Sequence, residues 1–209
     1  MERFFNIDNP VWRFIGNIAD MFLLSLFWYL CCLPVLTIGA GSTAMYYVAL
    51  KLTANQEGYT CADFRRAFRS NFRQATLIWL LFLAAALILG ADIYWSLFSG
   101  SSMSMMFLPA FGVLILLYLL NLFFIFPLLA RCDNAAKALL KMNFAISLRN
   151  FLPMLSAIIM TAAIFLVGLF VFWPLLLIAP GLSAYLNSYL YNRILEKYGL
   201  SLPDLSDQT

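Results

Sequence analysis

The chain has 209 residues, 64% of them hydrophobic and 11% charged, with a mean hydropathy of +0.87. Soluble domains carry about a quarter charged residues, so this composition excludes a water-soluble enzyme, a nucleic-acid-binding domain and a disordered tail. Histidine is absent; this removes the commonest general base, the base of the usual triads and the commonest metal ligand. No enzyme activity and no cofactor are expected, and 1–209 reads as one integral membrane domain. The start is not a cleavable signal peptide, because Met1 to Arg13 carries acids as well as bases and no small-residue cleavage site follows.

Stretches without Asp, Glu, Lys or Arg run from Met21 to Leu50, Gln74 to Ala91, Ile93 to Ala130 and Asn150 to Asn192. A crossing takes about 20 apolar residues. The first and last stretches are long, and each contains proline and glycine, at Pro34, Gly39 and Gly41 and at Pro174, Pro180 and Gly181. Each therefore reads as a helix, a break and a second helix. Six crossings result, at about 15–37, 41–57, 74–97, 104–130, 151–178 and 181–197, with a polar turn at Ser99 to Ser102. The class is all-α, since Leu77 to Leu89 is apolar on every side and lacks the alternation of a barrel strand. Helix two is short, about 25 Å, and needs Lys51 to snorkel.

The two broken segments resemble each other. Pro34 to Gly41 aligns without a gap on Pro174 to Gly181, Ala44 on Ala184 and Leu50 on Leu190. This reads as a parallel repeat of helical hairpins in which proline breaks the outgoing helix and glycine allows the tight return.

Between crossings two and three, Phe64, Phe68 and Phe72 recur every four residues beside Arg65, Arg69 and Arg73, with Arg66 adjacent. Thr60 and Asp63 have the spacing of a capping box, so Thr60 to Arg73 reads as a basic amphipathic helix lying in the headgroup layer and drawn to anionic lipid. Asp133 to Arg149 repeats the pattern more weakly, with Lys137 and Lys141 one turn apart and Leu140 and Phe144 on an apolar stripe. Either helix serves lipid contact or docks another protein. With six crossings all 13 Lys and Arg fall on one face, which the positive-inside rule makes cytoplasmic, with both termini. A four-crossing alternative, in which 41–57 and 181–197 lie in the interface or re-enter, places the bases around Arg65 opposite Arg3 and Arg13, which the positive-inside bias disfavours.

Polar residues inside the spans are Asp20, Asn121 and Asn187. Such residues are functional candidates, yet asparagine also ties helices together, and Asp20 lies near enough to the cytoplasmic face to pair with Arg13 or another base. The four cysteines, Cys31, Cys32, Cys61 and Cys132, show no metal-binding spacing.

Pro34-Val-Leu-Thr-Ile-Gly-Ala-Gly-Ser-Thr-Ala44, the tyrosines that follow, Lys51, and Phe68-Arg-Ser-Asn-Phe-Arg-Gln-Ala75 leading into Trp79 resemble the YesL family of bacterial integral membrane proteins. Arg3-Phe-Phe-Asn-Ile-Asp-Asn-Pro10 is similar to that family's N-terminus. The resemblance covers essentially the whole chain. It implies a domain of unknown function found mainly in Firmicutes, whose genes sit beside carbohydrate ABC importers, two-component sensors and polysaccharide-degrading enzymes. It implies an accessory or regulatory role in carbohydrate uptake or sensing, with importer subunits or a sensor kinase as partners, and supplies no site residues. Asp133-Asn-Ala-Ala136 echoes the opening of the loop by which importer permeases dock their ATPase, but no glycine occurs from Cys132 to Asn150. A companion of a permease is therefore expected rather than a permease. The competing reading is a small secondary transporter or channel, since transporters place sites at helix breaks between repeats. Homo-oligomerisation is left open.

Overall fold

A computed structural model describes residues 10–54, 56, 59–98, 108–132 and 134–200, the side chains of 10–15 and 108 excepted. Arg3 to Asn9, the turn at Ser99 to Ser102, Glu57 and Asp133 lie outside the described residues. The elements are α1 (Pro10–Cys32), a 3-10 turn (Val35–Thr37), α2 (Ile38–Thr53), α3 (Thr60–Phe98), α4 (Leu108–Leu129), α5 (Ala136–Arg149), α6 (Phe151–Phe170), a second 3-10 turn (Trp173–Leu177) and α7 (Ala179–Lys197). No strand occurs among the described residues.

Proline sets the breaks. Pro34 takes an extended conformation, φ −87° and ψ 113°, so α1 stops at Cys32 and crossing one does not run on to position 37 as one helix. Pro174 starts the second 3-10 turn and Pro180 sits in the first turn of α7, where a missing N–H removes no helical hydrogen bond. The succession helix, 3-10 turn, helix thus occurs at both ends of the chain. The glycines act otherwise than expected. Gly39, Gly41 and Gly181 lie inside helices α2 and α7, and among the described residues only Gly199 has a positive φ. Their role is close approach. A Cβ on Gly39 would lie 2.6 Å from the Ala75 carbonyl oxygen of α3, one on Gly41 2.6 Å from Cys31 Cβ of α1, and one on Gly181 2.1 Å from the Met21 carbonyl oxygen of α1.

These contacts make α2 the centre of the bundle. Every residue from Gly39 to Leu50 is buried, with α1, α3, α4 and α7 packed around them. The core continues through Leu24, Ile78, Leu120, Phe124 and Tyr191, all fully buried. By contrast α3 and α6 leave Leu81, Leu87, Ile88, Ile159 and Leu166 exposed, apolar surface suited to lipid.

The basic stretch from Thr60 is not a separate surface helix. It forms one uninterrupted helix with crossing three, α3, of 39 residues and about 58 Å, nearly twice the ~30 Å hydrocarbon core. No proline or glycine lies between Thr60 and Leu89 to break it. Its first half runs along α2, from Asp63 beside Lys51 at one end to Ala75 and Trp79 beside Gly39 at the other. The capping box is absent too. Thr60 begins the helix, its hydroxyl donates across to Asp20 Oδ1 at 2.7 Å, and Asp63 is held by Lys51 Nζ at 2.8 Å. The second basic segment is a separate helix, α5.

Four described stretches are long and apolar enough to cross a membrane: Val35–Thr53, α3, Pro109–Leu129 and α6; Gly16–Cys32 is apolar but shorter. The chain is thus an all-helical protein with the composition of a membrane bundle. α7, the expected sixth crossing, is not among these stretches because Ser183, Asn187, Ser188, Asn192 and Arg193 lower its hydropathy.

Candidate functional site

Five helices and the start of α7 line an open cavity of about 270 Å³. Trp28 of α1, Tyr46 of α2, Trp79 of α3, Phe126 of α4 and Phe165 of α6 supply aromatic walls, and Ser42, Thr161 and Ser183 supply hydroxyls. The walls meet here because both 3-10 turns end at this level and are held by side chains of other helices. Trp79 Nε1 donates to the Val35 carbonyl at 2.8 Å, and the Tyr29 hydroxyl to Leu176 at 2.6 Å. Ser25 caps α7 from α1, its Oγ accepting from the Gly181 N–H at 2.8 Å and lying 3.0 Å from the Ile178 carbonyl.

The polar atoms around the cavity are engaged by one another. Trp28 Nε1 donates to Ser42 Oγ at 3.0 Å, Ser183 to the Pro180 carbonyl at 2.8 Å, and Thr161 to the Ala157 carbonyl at 2.9 Å. Asn187 Nδ2 donates to Thr161 Oγ1 at 2.8 Å, whereas its Oδ1 is buried with no partner among the described residues. The surface left for a ligand is mostly aromatic and apolar.

The remaining intramembrane candidates lie apart from the cavity. Asn121 donates to the Leu117 carbonyl, and Asn143 of α5 donates to both the carbonyl and Oδ1 of Asn121, at 3.1 and 2.9 Å. Asn121 thus joins α4 to α5, and Asn187 joins α7 to α6. Asp20 meets the Thr60 hydroxyl rather than a described base. Pro180 touches the cavity; Pro34, Gly39, Gly41, Pro174 and Gly181 shape the breaks and helix contacts.

Sequence patterning missed a polar knot at the end of α4. Arg131 is 6% exposed; its guanidinium donates to Asn192 Oδ1 and to the Leu200 carbonyl, the latter at 2.5 Å, while Asn192 Nδ2 donates to Thr53 Oγ1 at 2.7 Å and to the Leu50 carbonyl at 3.2 Å. Burial pulls the Arg131 pKa below the usual guanidinium value, and the nearby Glu196 carboxylate works against that. The available signal was position: Arg131 and Asn192 stand at the ends of charge-free stretches.

Arg65, Arg69, Arg73, Lys137 and Lys141 are exposed, and Arg66 is half-buried. Among the described residues the one ion pair is Lys51–Asp63, so these cations face outward without acidic partners. The phenylalanine stripe is shared: Phe64 is buried and stacks on Phe27 of α1 at 5.2 Å, while Phe72 is exposed. Among the described residues no three His, Cys, Asp or Glu side chains come together as metal ligands would.

Residues 21–93 match the family model described as "Protein of unknown function, DUF624". The match runs from α1 into the outer part of α3 and takes in the Pro34 break, the buried α2 and the arginine stretch; α4 to α7 lie beyond it. No curated protein and no solved structure matches the chain.

Proposed function

We propose that this chain works by association, as an accessory or regulatory membrane component of carbohydrate uptake or sensing, with no catalysis of its own. The observation that carries the associative part is the division of its polar groups. Inside, Ser25, Trp28, Asn143, Asn187 and Asn192 hydrogen-bond from one helix to another, and most other hydroxyls bond to carbonyls of their own helix; outside, Lys137 and Lys141 of α5 and the arginines of α3 project with no acidic partner among the described residues. Such a surface suits an acidic partner. The carbohydrate setting and the partner classes, importer subunits or a sensor kinase, rest on the YesL resemblance, with which a match to a family of unknown function is compatible. Six crossings with both termini in the cytoplasm of a bacterial cell remain our topology. Helical side chains lean toward the helix N-terminus, so Arg69 and Arg73 reach toward the Lys51–Asp63 end of α3. The test is co-purification from native membranes with the importer permease encoded nearby, before and after the charge reversal Lys137→Glu/Lys141→Glu. Retention by the natural protein and loss in the variant are expected; failure of the natural protein to retain it overturns the partner.

A small transporter or channel is the second reading, favoured by the cavity between the broken helices and by the unpaired Asn187 Oδ1 behind Thr161. Its volume lies just under the usual range of ligand pockets, about 300–1,000 Å³. Protein-dependent uptake of a labelled sugar into liposomes, lost in Thr161→Val, would establish this reading in place of association.

A further inference from the structure

A groove of about 500 Å³ runs between α1 and the first two turns of α3, apart from the central cavity. Phe27, Phe64 and Phe68 give it a phenyl floor, and Cys31, Cys61 and the exposed Arg65 are also among its lining residues. Phe64 stacks on Phe27 at 5.2 Å and on Phe68 at 6.3 Å, and Phe72 continues the phenyl surface at 5.4 Å from Phe68. From Cys61 to Phe72 this surface is about 16 Å long, close to half of the ~30 Å hydrocarbon core, the depth of one leaflet. Arg65 and Arg69, one turn apart and both exposed, lean toward the Thr60 end as helical side chains do. Two carboxylates beside this end of α3 are already engaged, Asp20 by the Thr60 hydroxyl and Asp63 by Lys51.

We infer that this groove is a binding site for one anionic phospholipid. Its phosphate lies between the Arg65 and Arg69 guanidinia, and one acyl chain lies along Phe64, Phe68 and Phe72. The charge selects the headgroup, because a guanidinium pair meets phosphate oxygens with charge-assisted, bidentate hydrogen bonds. The phenyl floor selects a lipid over a free anion. The site does not depend on the partner reading above, and a purified protein tests it with no partner present.

The experiment uses the full chain, purified and delipidated in neutral detergent. It is titrated with dioleoylphosphatidylglycerol, dioleoylphosphatidylcholine or inorganic phosphate, following thermal unfolding and counting bound lipid by native mass spectrometry. Phosphatidylglycerol is expected to raise the midpoint by several degrees more than phosphatidylcholine. Arg65→Gln/Arg69→Gln is expected to lose most of that difference and the bound lipid, and Lys137→Gln/Lys141→Gln to keep both. Equal responses to the two lipids, an unchanged Arg65→Gln/Arg69→Gln, an equal loss in the lysine variant, or the same shift from phosphate alone would each overturn the site. The lipid count keeps the result readable where a variant alters stability by itself.

Discussion

Gly181 and Gly90 show how one residue type carries opposite meanings in this molecule. Gly181 lets the backbone of α7 touch that of α1, where an added Cβ would fall 2.1 Å from the Met21 carbonyl oxygen and 2.8 Å from Ser25 Oγ. Gly90, in the exposed part of α3, would place its Cβ in open space. Gly181→Ala is therefore expected to destabilise by roughly 1–3 kcal/mol or more, the cost of overpacking against backbone that cannot yield. Gly90→Ala is expected to stabilise by about 0.5–1 kcal/mol through helix propensity. Thermal unfolding of both variants in one detergent checks the pair, and matching shifts would show that the α1–α7 approach is looser than described. Arg131 belongs to the same scale. Its burial is tolerable because Asn192 and the Leu200 carbonyl accept its hydrogen bonds, so its role is to fasten the ends of α4 and α7.

At the scale of elements, the start of α7 and the length of α3 carry the consequences. The first turn of α7 has no side-chain cap of its own; a serine one helix away takes the Gly181 N–H instead. Ser25→Ala removes that acceptor and is expected to cost about 0.5–2 kcal/mol, the usual range for a lost cap, whereas Ser156→Ala, which removes only an exposed local bond, should cost much less. Chemical denaturation of the two variants compares them. For α3, spin labels at the exposed positions Ala62 and Leu87 should lie about 38 Å apart along one continuous helix. A helix that turned flat on the membrane near Arg73 would bring them to roughly 27 Å on the same rise. A pulsed electron-resonance distance distribution centred on the shorter value would restore the separate surface helix. The capping box at Thr60 was legible as a helix start and misleading as a mechanism, because its two polar side chains look to α1 and α2.

For the whole molecule, topology is the quantity that decides how the outward-facing cations meet their surroundings. The proposed orientation, with both termini cytoplasmic, predicts that a cysteine at Ser70 is shielded from an impermeant thiol reagent added outside the cell and that one at Asp92 is reached, in a background where the four native cysteines are replaced. External labelling of Ser70→Cys together with protection of Asp92→Cys would invert the orientation. The bundle also has a clear inside and outside. α2 is enclosed by its neighbours over its whole middle, whereas α3 and α6 expose aliphatic side chains. The enclosed helix is the less apolar one: mean hydropathy is 1.2 for the stretch Val35–Thr53, against 2.3 for α3 and for α6.

The separate helix expected over Thr60 to Arg73 runs on into crossing three as α3, but the helical class and the breaks at Pro34 and Pro174 were legible in the sequence. These follow from local properties: long charge-free stretches admit only helices in an apolar solvent, and proline cannot continue one. The sequence marked Asn121 and Asn187 as functional candidates or residues that join helices, because a lone amide in an apolar span must find a partner, and their cross-helix hydrogen bonds came from the structure. Which helix lies at the centre came from the fold: α2 is less apolar than α3 or α6, and its burial depends on the helices that surround it. The tertiary structure also decided that Gly39, Gly41 and Gly181 serve contact rather than turning, that Ser25 caps a distant helix, and that Arg131 meets Asn192. Each of these joins residues far apart in the chain, and pairing across space leaves no periodicity in one sequence to read.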